Sequence, residues 1–357
     1  MEQMYEKGYM SSKPDSYIYN TVLNAWSKSG EPDAAIRAQV ILTKMNYNSW
    51  TKPDVCTYTT VIDSLKNGGK YSAQRALQLL SYMQNEKNNV KPNTYTFTTI
   101  INVLAKSGEK DAGSKSMMIL EYMMDLFRKG DDNCRPNILT CNAVIGCLSK
   151  GRGKQASLKI EEMLTRMKLP LEYNGFEVVP DNVTYNIAIL FYCRQRTMPS
   201  ITVAITLLQV MKNENITPSL NQYNAIIIAL SKLQHDQSAQ IADSLLQQMI
   251  VSFESRDEHA VEPDTISFNA CMNAYSRLAG LESAHRVEEL ITQMHTLHQS
   301  QAYSNLKPNA RSYAAVLQAW AHSGQRKTAA IRTEEIIMRM EELYEIGELE
   351  FPPDVYW

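Results

Sequence analysis

Apolar residues recur at helical spacing in short runs, and polar loops ending in proline separate the runs. Between Tyr17 and Lys28 the apolar positions are Ile18, Tyr19, Val22, Leu23 and Trp26, which predicts a helix. Ser29-Gly30 ends it, because glycine tolerates the left-handed conformation that closes a helix. A second helical run extends from Asp33 to about Met45, with Ala34, Ala35, Ile36, Val40, Ile41 and Leu42 available for packing. Pro53 then stops helical continuation. The predicted unit is helix A, a tight turn, helix B and a loop.

The unit comes back eight times, and its start is marked by one phrase: Pro, then Asp, Asn or Ser, three residues, usually Tyr or Phe, then usually Asn or Thr. Examples are Pro14-Asp15 to Tyr19-Asn20, Pro180-Asp181 to Tyr185-Asn186 and Pro263-Asp264 to Phe268-Asn269. A ninth copy begins at Pro353-Asp354. Self-similarity at this period predicts an all-α stack of helix-turn-helix units sharing one continuous core. The expected repeats are 16–54, 55–93, 94–137, 138–181, 182–219, 220–264, 265–309 and 310–354, forming a single solenoid. Residues 1–15 look like the end of a preceding repeat and 355–357 like the start of a truncated ninth. Small residues early in helix B (Ala35, Ala76, Ala112, Ala156, Ala204, Ala239, Ala284, Ala329) predict close helix approach. A methionine is expected to close each helix B: Met45, Met83, Met123, Met167, Met211, Met249, Met294 and Met340. The Ala-to-Met gap is seven residues at Ala76–Met83 and ten at Ala239–Met249, so helix B is expected to vary by about one turn. The repeated aromatics Tyr19, Tyr58, Phe97, Tyr185, Tyr223, Phe268 and Tyr313 are expected in the core.

Composition narrows the classes. No apolar stretch of membrane-spanning length occurs, so no membrane partner is expected. The six cysteines show no C-x-x-C spacing and read as reduced, mostly buried thiols of an intracellular protein. The net charge is −2, so any nucleic-acid binding must rest on local charge placement. Gly151-Arg152-Gly153-Lys154 lacks phosphate-loop spacing, and His295 and His298 have no third ligand nearby in sequence. The sequons at Asn182 and Asn215 read as idle. No H-x-E with P-C-x-x-C and no acidic nuclease cluster occurs. The chain is therefore expected to be no enzyme, with no catalytic residues, metal, cofactor or small-molecule substrate.

The recurring Pro-Asp-x-x-x-Tyr-Asn phrase resembles the pentatricopeptide repeat family over essentially the whole chain. Pro180-Asp181-Asn182-Val183-Thr184-Tyr185-Asn186 is almost that family's consensus. The repeats are longer than the family's ~35 residues, running from 38 (Pro180 to Pro218) to 45 (Pro218 to Pro263). The resemblance implies an α-solenoid wound as a right-handed superhelix that binds single-stranded RNA, one base per repeat. It implies that each base is read by a polar pair. The first member follows the helix A aromatic: Asn20, Thr59, Thr98, Asn142, Asn186, Asn224 and Asn269, with Ala314 in copy eight. The second follows the proline ending the unit: Asp54, Asn93, Asn137, Asp181, Ser219, Asp264 and Asn309, with Asp354 last. By the family's code the first seven pairs decode as U-A-A-U-C-U-pyrimidine. The family also implies stacking at the second place of helix A, here Tyr17, Cys56, Tyr95, Leu139, Val183, Asn221, Ile266 and Arg311. Of these, Tyr17, Tyr95, Leu139, Val183 and Ile266 are the candidate base-stacking residues.

The chemistry is consistent with that role, since an amide both donates and accepts while apolar faces stack on bases. The competing reading is helix capping, because Pro-Asp is a common helix entry signal. The RNA reading expects the Asn/Thr column to lie neither buried nor outward, with every helix A lining the concave side; a column wholly buried or facing outward would overturn it. Basic residues near the end of helix A (Lys28, Lys66, Lys106, Lys150, Arg194, Lys232 and Arg277, with His322 last) form a line that could meet phosphates. The alternative there is a cation complementing the helix dipole. The resemblance implies an organellar role, mitochondrial or plastid, in transcript stability, processing, editing or translation, with other RNA-processing proteins as further partners. The competing class is a protein-binding scaffold of tetratricopeptide type.

Overall fold

The computed structural model describes residues 14–48, 50–85, 90–170, 176–300, 302–347 and 349. The proposed front fragment before Pro14 and the ninth phrase with Asp354 lie outside these residues. Among the described residues every regular element is helical.

The chain divides into two compact units, 1–180 and 181–357, one residue before the end of the fourth expected repeat. The first contains α1 (Ser16–Ser29), α2 (Ala34–Tyr47), α3 (Val55–Ser64), α4 (Ser72–Met83), α5 (Thr94–Ser107), α6 (Ala112–Arg128), α7 (Ile138–Leu148) and α8 (Lys154–Lys168). The second contains α9 (Asn182–Gln195), α10 (Met198–Asn213), α11 (Leu220–Ser231), α12 (Asp236–Glu254), α13 (Thr265–Ser276), α14 (Leu281–Gln299), α15 (Ala310–His322) and α16 (Arg326–Glu345). Odd-numbered helices are the A helices and even-numbered ones the B helices.

Within each unit an A helix packs on its own B helix, and that B helix packs on the next A helix. Consecutive A helices also lie side by side in direct backbone proximity. Consecutive B helices meet through long side chains instead, as in Arg286 Nε to Asp243 Oδ2 (2.7 Å) and the Arg166–Glu121 pair. The shared core follows from the repeated apolar positions. All seven repeated aromatics are buried, as are the eight repeated methionines. The alanines pack as expected except Ala329, which is half-buried in the last hairpin.

Two details differ from the sequence expectation. Helix B ranges from 12 residues in α4 to 20 in α16, about two turns rather than one. The methionine closes only α4; in α12 the helix runs past Met249 to Glu254. The extra turns extend beyond the methionine, so its packing place is kept while the helix end is free to move outward.

Candidate nucleic-acid interface

The A helices begin in one way. The Asp or Asn after the proline is extended in backbone conformation, and its Oδ1 accepts the N–H of the third helical residue. This holds for Asp54 to Thr57 (2.8 Å), Asn93 to Thr96 (3.0 Å), Asn137 to Thr140 (3.0 Å) and Asp264 to Ser267 (2.9 Å). The third residue's hydroxyl accepts the cap residue's own N–H, closing a reciprocal box. The second member of each proposed pair is therefore a helix N-cap. With Oδ1 so committed, the second oxygen of Asp54 and of Asp264, an acceptor, makes no hydrogen bond among the described residues. An Asn turns its NH2, a donor, outward.

The same hydroxyls reach across to the preceding A helix and touch the first member of the pair. Ser267 Oγ donates to Asn224 Oδ1 (2.6 Å), and Asn224 Nδ2 donates to Asp264 Oδ1 (3.1 Å). Ser312 Oγ donates to Asn269 Oδ1 (2.7 Å), and Asn269 Nδ2 donates to Asn309 Oδ1 (3.2 Å). Thr57 joins Asn20 and Asp54 in the same way, with Thr57 Oγ1 to Asn20 Oδ1 at 2.8 Å. In the threonine copies, Thr59 Oγ1 meets Thr96 Oγ1 and Thr98 Oγ1 meets Thr140 Oγ1, each at 2.8 Å. Thr98 also donates to Thr94 O (2.8 Å), so its oxygen faces Thr140 as an acceptor. Copy five differs. Gln222 stands at the third place; its Oε1 accepts Ser219 N–H (2.7 Å) and its Nε2 lies 3.3 Å from Asn182 Oδ1. Asn186 Oδ1 is buried there with no hydrogen-bond partner among the described residues. In copy four, Asn142 belongs to the first unit and Asp181 to the second.

Two columns of the sequence reading are thus brought together in copies one, two, three, six and seven, where a third residue links them. That third residue was missed. Its signal is the Ser, Thr or Gln just before the aromatic, or before Cys141 in copy four, in copies two to eight: Thr57, Thr96, Thr140, Thr184, Gln222, Ser267 and Ser312.

The expectation of an unburied first column is not met at four positions. Thr59 is 3% exposed, and Asn142, Asn224 and Asn269 are also buried. Asn20, Thr98 and Asn186 are half-buried. For Thr59, Asn224 and Asn269 the cause is the tight A-helix seam, which closes over short side chains bonded across it. The second column stays accessible: Asp54, Asn137 and Asn309 are exposed, and Asn93, Asp181, Ser219 and Asp264 are half-buried. The place between cap and linker is open in every copy. Tyr17 (78% exposed), Tyr95, Leu139, Val183 and Ile266 all face solvent, as do Cys56, Asn221 and Arg311. Five of these eight places thus carry a large apolar side chain that stays solvent-exposed two residues after the cap.

The basic line splits into two kinds. Lys66 Nζ pairs with Asp63 Oδ2 (2.9 Å), and Arg194 Nε donates to Leu190 O (3.3 Å). Arg277 donates to Ser231 O (3.5 Å), and His322 Nδ1 lies 2.8 Å from Ser276 O. These are helix-end contacts of the dipole-complementing sort. Lys28, Lys106, Lys150 and Lys232 are exposed without an ion-pair partner among the described residues.

The minor motifs resolve simply. Gly151 to Lys154 forms the turn into α8, with Gly153 at φ +79° as its cap. His295 Nε2 bonds Tyr313 Oη at 2.7 Å. No cluster of three metal-binding side chains occurs among the described residues. Five cysteines are buried and Cys56 is exposed. Burial pushes the Cys141 and Cys193 thiols up to about 12.

Comparison with known proteins accords with this geometry. The PPR repeat family matches residues 53–106, the pentatricopeptide repeat domain residues 86–151, and a further PPR repeat residues 17–38. No curated protein sequence matches the chain. Among solved structures, the pentatricopeptide repeat protein PPR10 from maize is similar, with 19% identity and a TM-score of 0.58 over 95% of this chain and 41% of that one. PPR10 in complex with an 18-nt psaJ RNA element matches at 20% identity and a TM-score of 0.45, covering 99% of this chain and 47% of that one. The chain spans less than half the length of either structure. Three descriptions of one repeat, matched between residues 17 and 151, identify pentatricopeptide repeats in this chain, and the Pro-Asx-capped hairpins that follow keep the same α-solenoid fold.

Proposed function

We propose that this protein binds single-stranded RNA by sequence, one base per repeat. The observation that carries the reading is the exposed apolar row at the second place of the A helices, beside a capped polar pair. A base edge set against the pair meets different groups in different copies. Asn with Asp offers a donor and an outward acceptor, complementary to a uracil carbonyl and its N3–H. Thr with Asn offers an acceptor and an outward donor, complementary to adenine N6–H and N1. Asn with Asn offers two donors, suited to a pyrimidine. The decoded order U-A-A-U-C-U-pyrimidine and the 5′ to 3′ polarity rest on the family resemblance, as does a mitochondrial or plastid role in transcript stability, processing, editing or translation.

In this reading the chain binds and performs no chemical step of its own. Phosphate contacts fall to Lys28, Lys106, Lys150 and Lys232 first, since Lys66, Arg194 and Arg277 already hold protein groups. The test is a titration of the protein with labelled RNA of the decoded sequence and with a scrambled RNA of equal composition. Tighter binding to the decoded RNA is expected. Equal or no binding to both would reject sequence reading in favour of a protein-binding scaffold.

A further inference from the structure

We infer that the third residue of each A helix is a positioning residue for base selection in the preceding repeat, and that copy five, which lacks its hydroxyl, selects its base least among the seven copies with a polar pair. This rests on the RNA reading above. The Asn224 amide shows why. Ser267 Oγ accepts the Asp264 N–H (3.3 Å), so its own proton must go to Asp264 Oδ1 or to Asn224 Oδ1. Asp264 Oδ1 already accepts from Ser267 N–H and from Asn224 Nδ2. The hydroxyl proton therefore goes to Asn224 Oδ1, at 2.6 Å.

The amide is then held at two points, its oxygen by Ser267 and one N–H by Asp264. Turned over, its oxygen would face a carboxylate oxygen at about the present 3.1 Å, acceptor against acceptor. Only one N–H is left to meet a base, in a fixed direction. Asn20 with Thr57 and Asn269 with Ser312 repeat this two-point hold.

Copy five breaks it. The Gln222 amide is spent on Ser219 N–H and Asn182, and the Asn186 oxygen is buried without a donor. An amide with no hold on its oxygen can present either its N–H or its oxygen to a base. Two bases of opposite edge pattern then satisfy it nearly equally.

The experiment compares wild type with Ser267→Ala, Ser267→Thr and Gln222→Thr. Each is titrated with RNAs that differ only at the base facing copy six (U or C) or copy five (C or U). Thermal melting accompanies each titration. Ser267→Ala should lower the U-over-C ratio at copy six by about fivefold, the worth of one neutral hydrogen bond, and leave the ratio at copy five unchanged. Ser267→Thr should keep the wild-type ratio. Gln222→Thr should raise selection at copy five by a similar factor, which a loss of folding cannot mimic. A Ser267→Ala protein that folds and keeps its full ratio would overturn the inference, as would Gln222→Thr with no gain at copy five. A wild type with no base preference at copy six would instead reject the RNA reading itself.

Discussion

Asp264→Asn changes the outward group of copy six and almost nothing else. Asp264 caps α13 through Oδ1, which accepts Ser267 N–H at 2.9 Å and Asn224 Nδ2 at 3.1 Å. An asparagine can keep both contacts, as Asn309 does in the next repeat with Ser312 N–H and Asn269 Nδ2, each at 3.2 Å. Asn and Asp are equal caps, so the cost is the missing charge at a helix N-terminus, about 0.3–1 kcal/mol. The outward atom, however, turns from acceptor to donor. Uracil N3–H would then face an N–H, while the cytosine ring nitrogen would find a donor. The uracil preference at this position should fall by about 1–3 kcal/mol, the usual cost of one wrong base, or roughly 5- to 150-fold. Fluorescence anisotropy with two RNAs differing only at the sixth base measures the ratio. Thermal melting checks that the fold is kept. A variant that melts like wild type, binds RNA and still prefers uracil at wild-type strength would refute the outward-atom reasoning.

Other outcomes follow from the same geometry. Tyr95→Ala should weaken RNA binding by about 1–3 kcal/mol by removing a stacking surface, without lowering the melting temperature, because Tyr95 is exposed; equal affinity would remove it from the interface. Lys106→Ala with Lys150→Ala should weaken all RNA sequences alike and reduce the slope of log K against log salt by about 0.7 for each phosphate no longer neutralised, and an unchanged slope would assign both lysines to helix ends. Burial disfavours the thiolate and so raises thiol pKa values: Cys134, Cys141 and Cys193 are pushed up to about 12. In the folded protein at pH 8 a thiol reagent should therefore modify exposed Cys56 rapidly and these three only after denaturation; fast labelling of Cys141 would contradict the packing.

The sequence carried the hairpins because their signals are local: apolar spacing, Gly30 as a left-handed cap, and Pro-Asx before each A helix. The aromatic and methionine positions were legible for the same reason, since fixed identity at a fixed place in an apolar run marks core. Burial of Thr59 and Asn224 was not legible. It arises from how closely neighbouring A helices approach, and nothing within one phrase encodes that distance. The linking role of Ser267 and Thr57 was visible only as a column of hydroxyl residues, and a column does not reveal which helix a side chain bonds. Of the two alternatives posed from sequence, capping is observed: Asp54, Asn93 and Asp264 cap helices through one side-chain atom, and the proposed reading needs only the other.

On the proposed reading, the cap residue has two tasks, and that limits the vocabulary of the solenoid. A residue placed after the proline must first start a helix, and the side chains that do so well are few: Asn, Asp and Ser, with Thr and Gly behind. Asp54, Asn93, Asn137, Asp181, Ser219, Asp264 and Asn309 all come from the first three. A long or branched apolar side chain, a lysine or an arginine would leave the third N–H of the helix without its acceptor, whatever contact it made with a base. Reprogramming this position is therefore a choice among cap residues. New letters outside that set would have to be written elsewhere in the repeat.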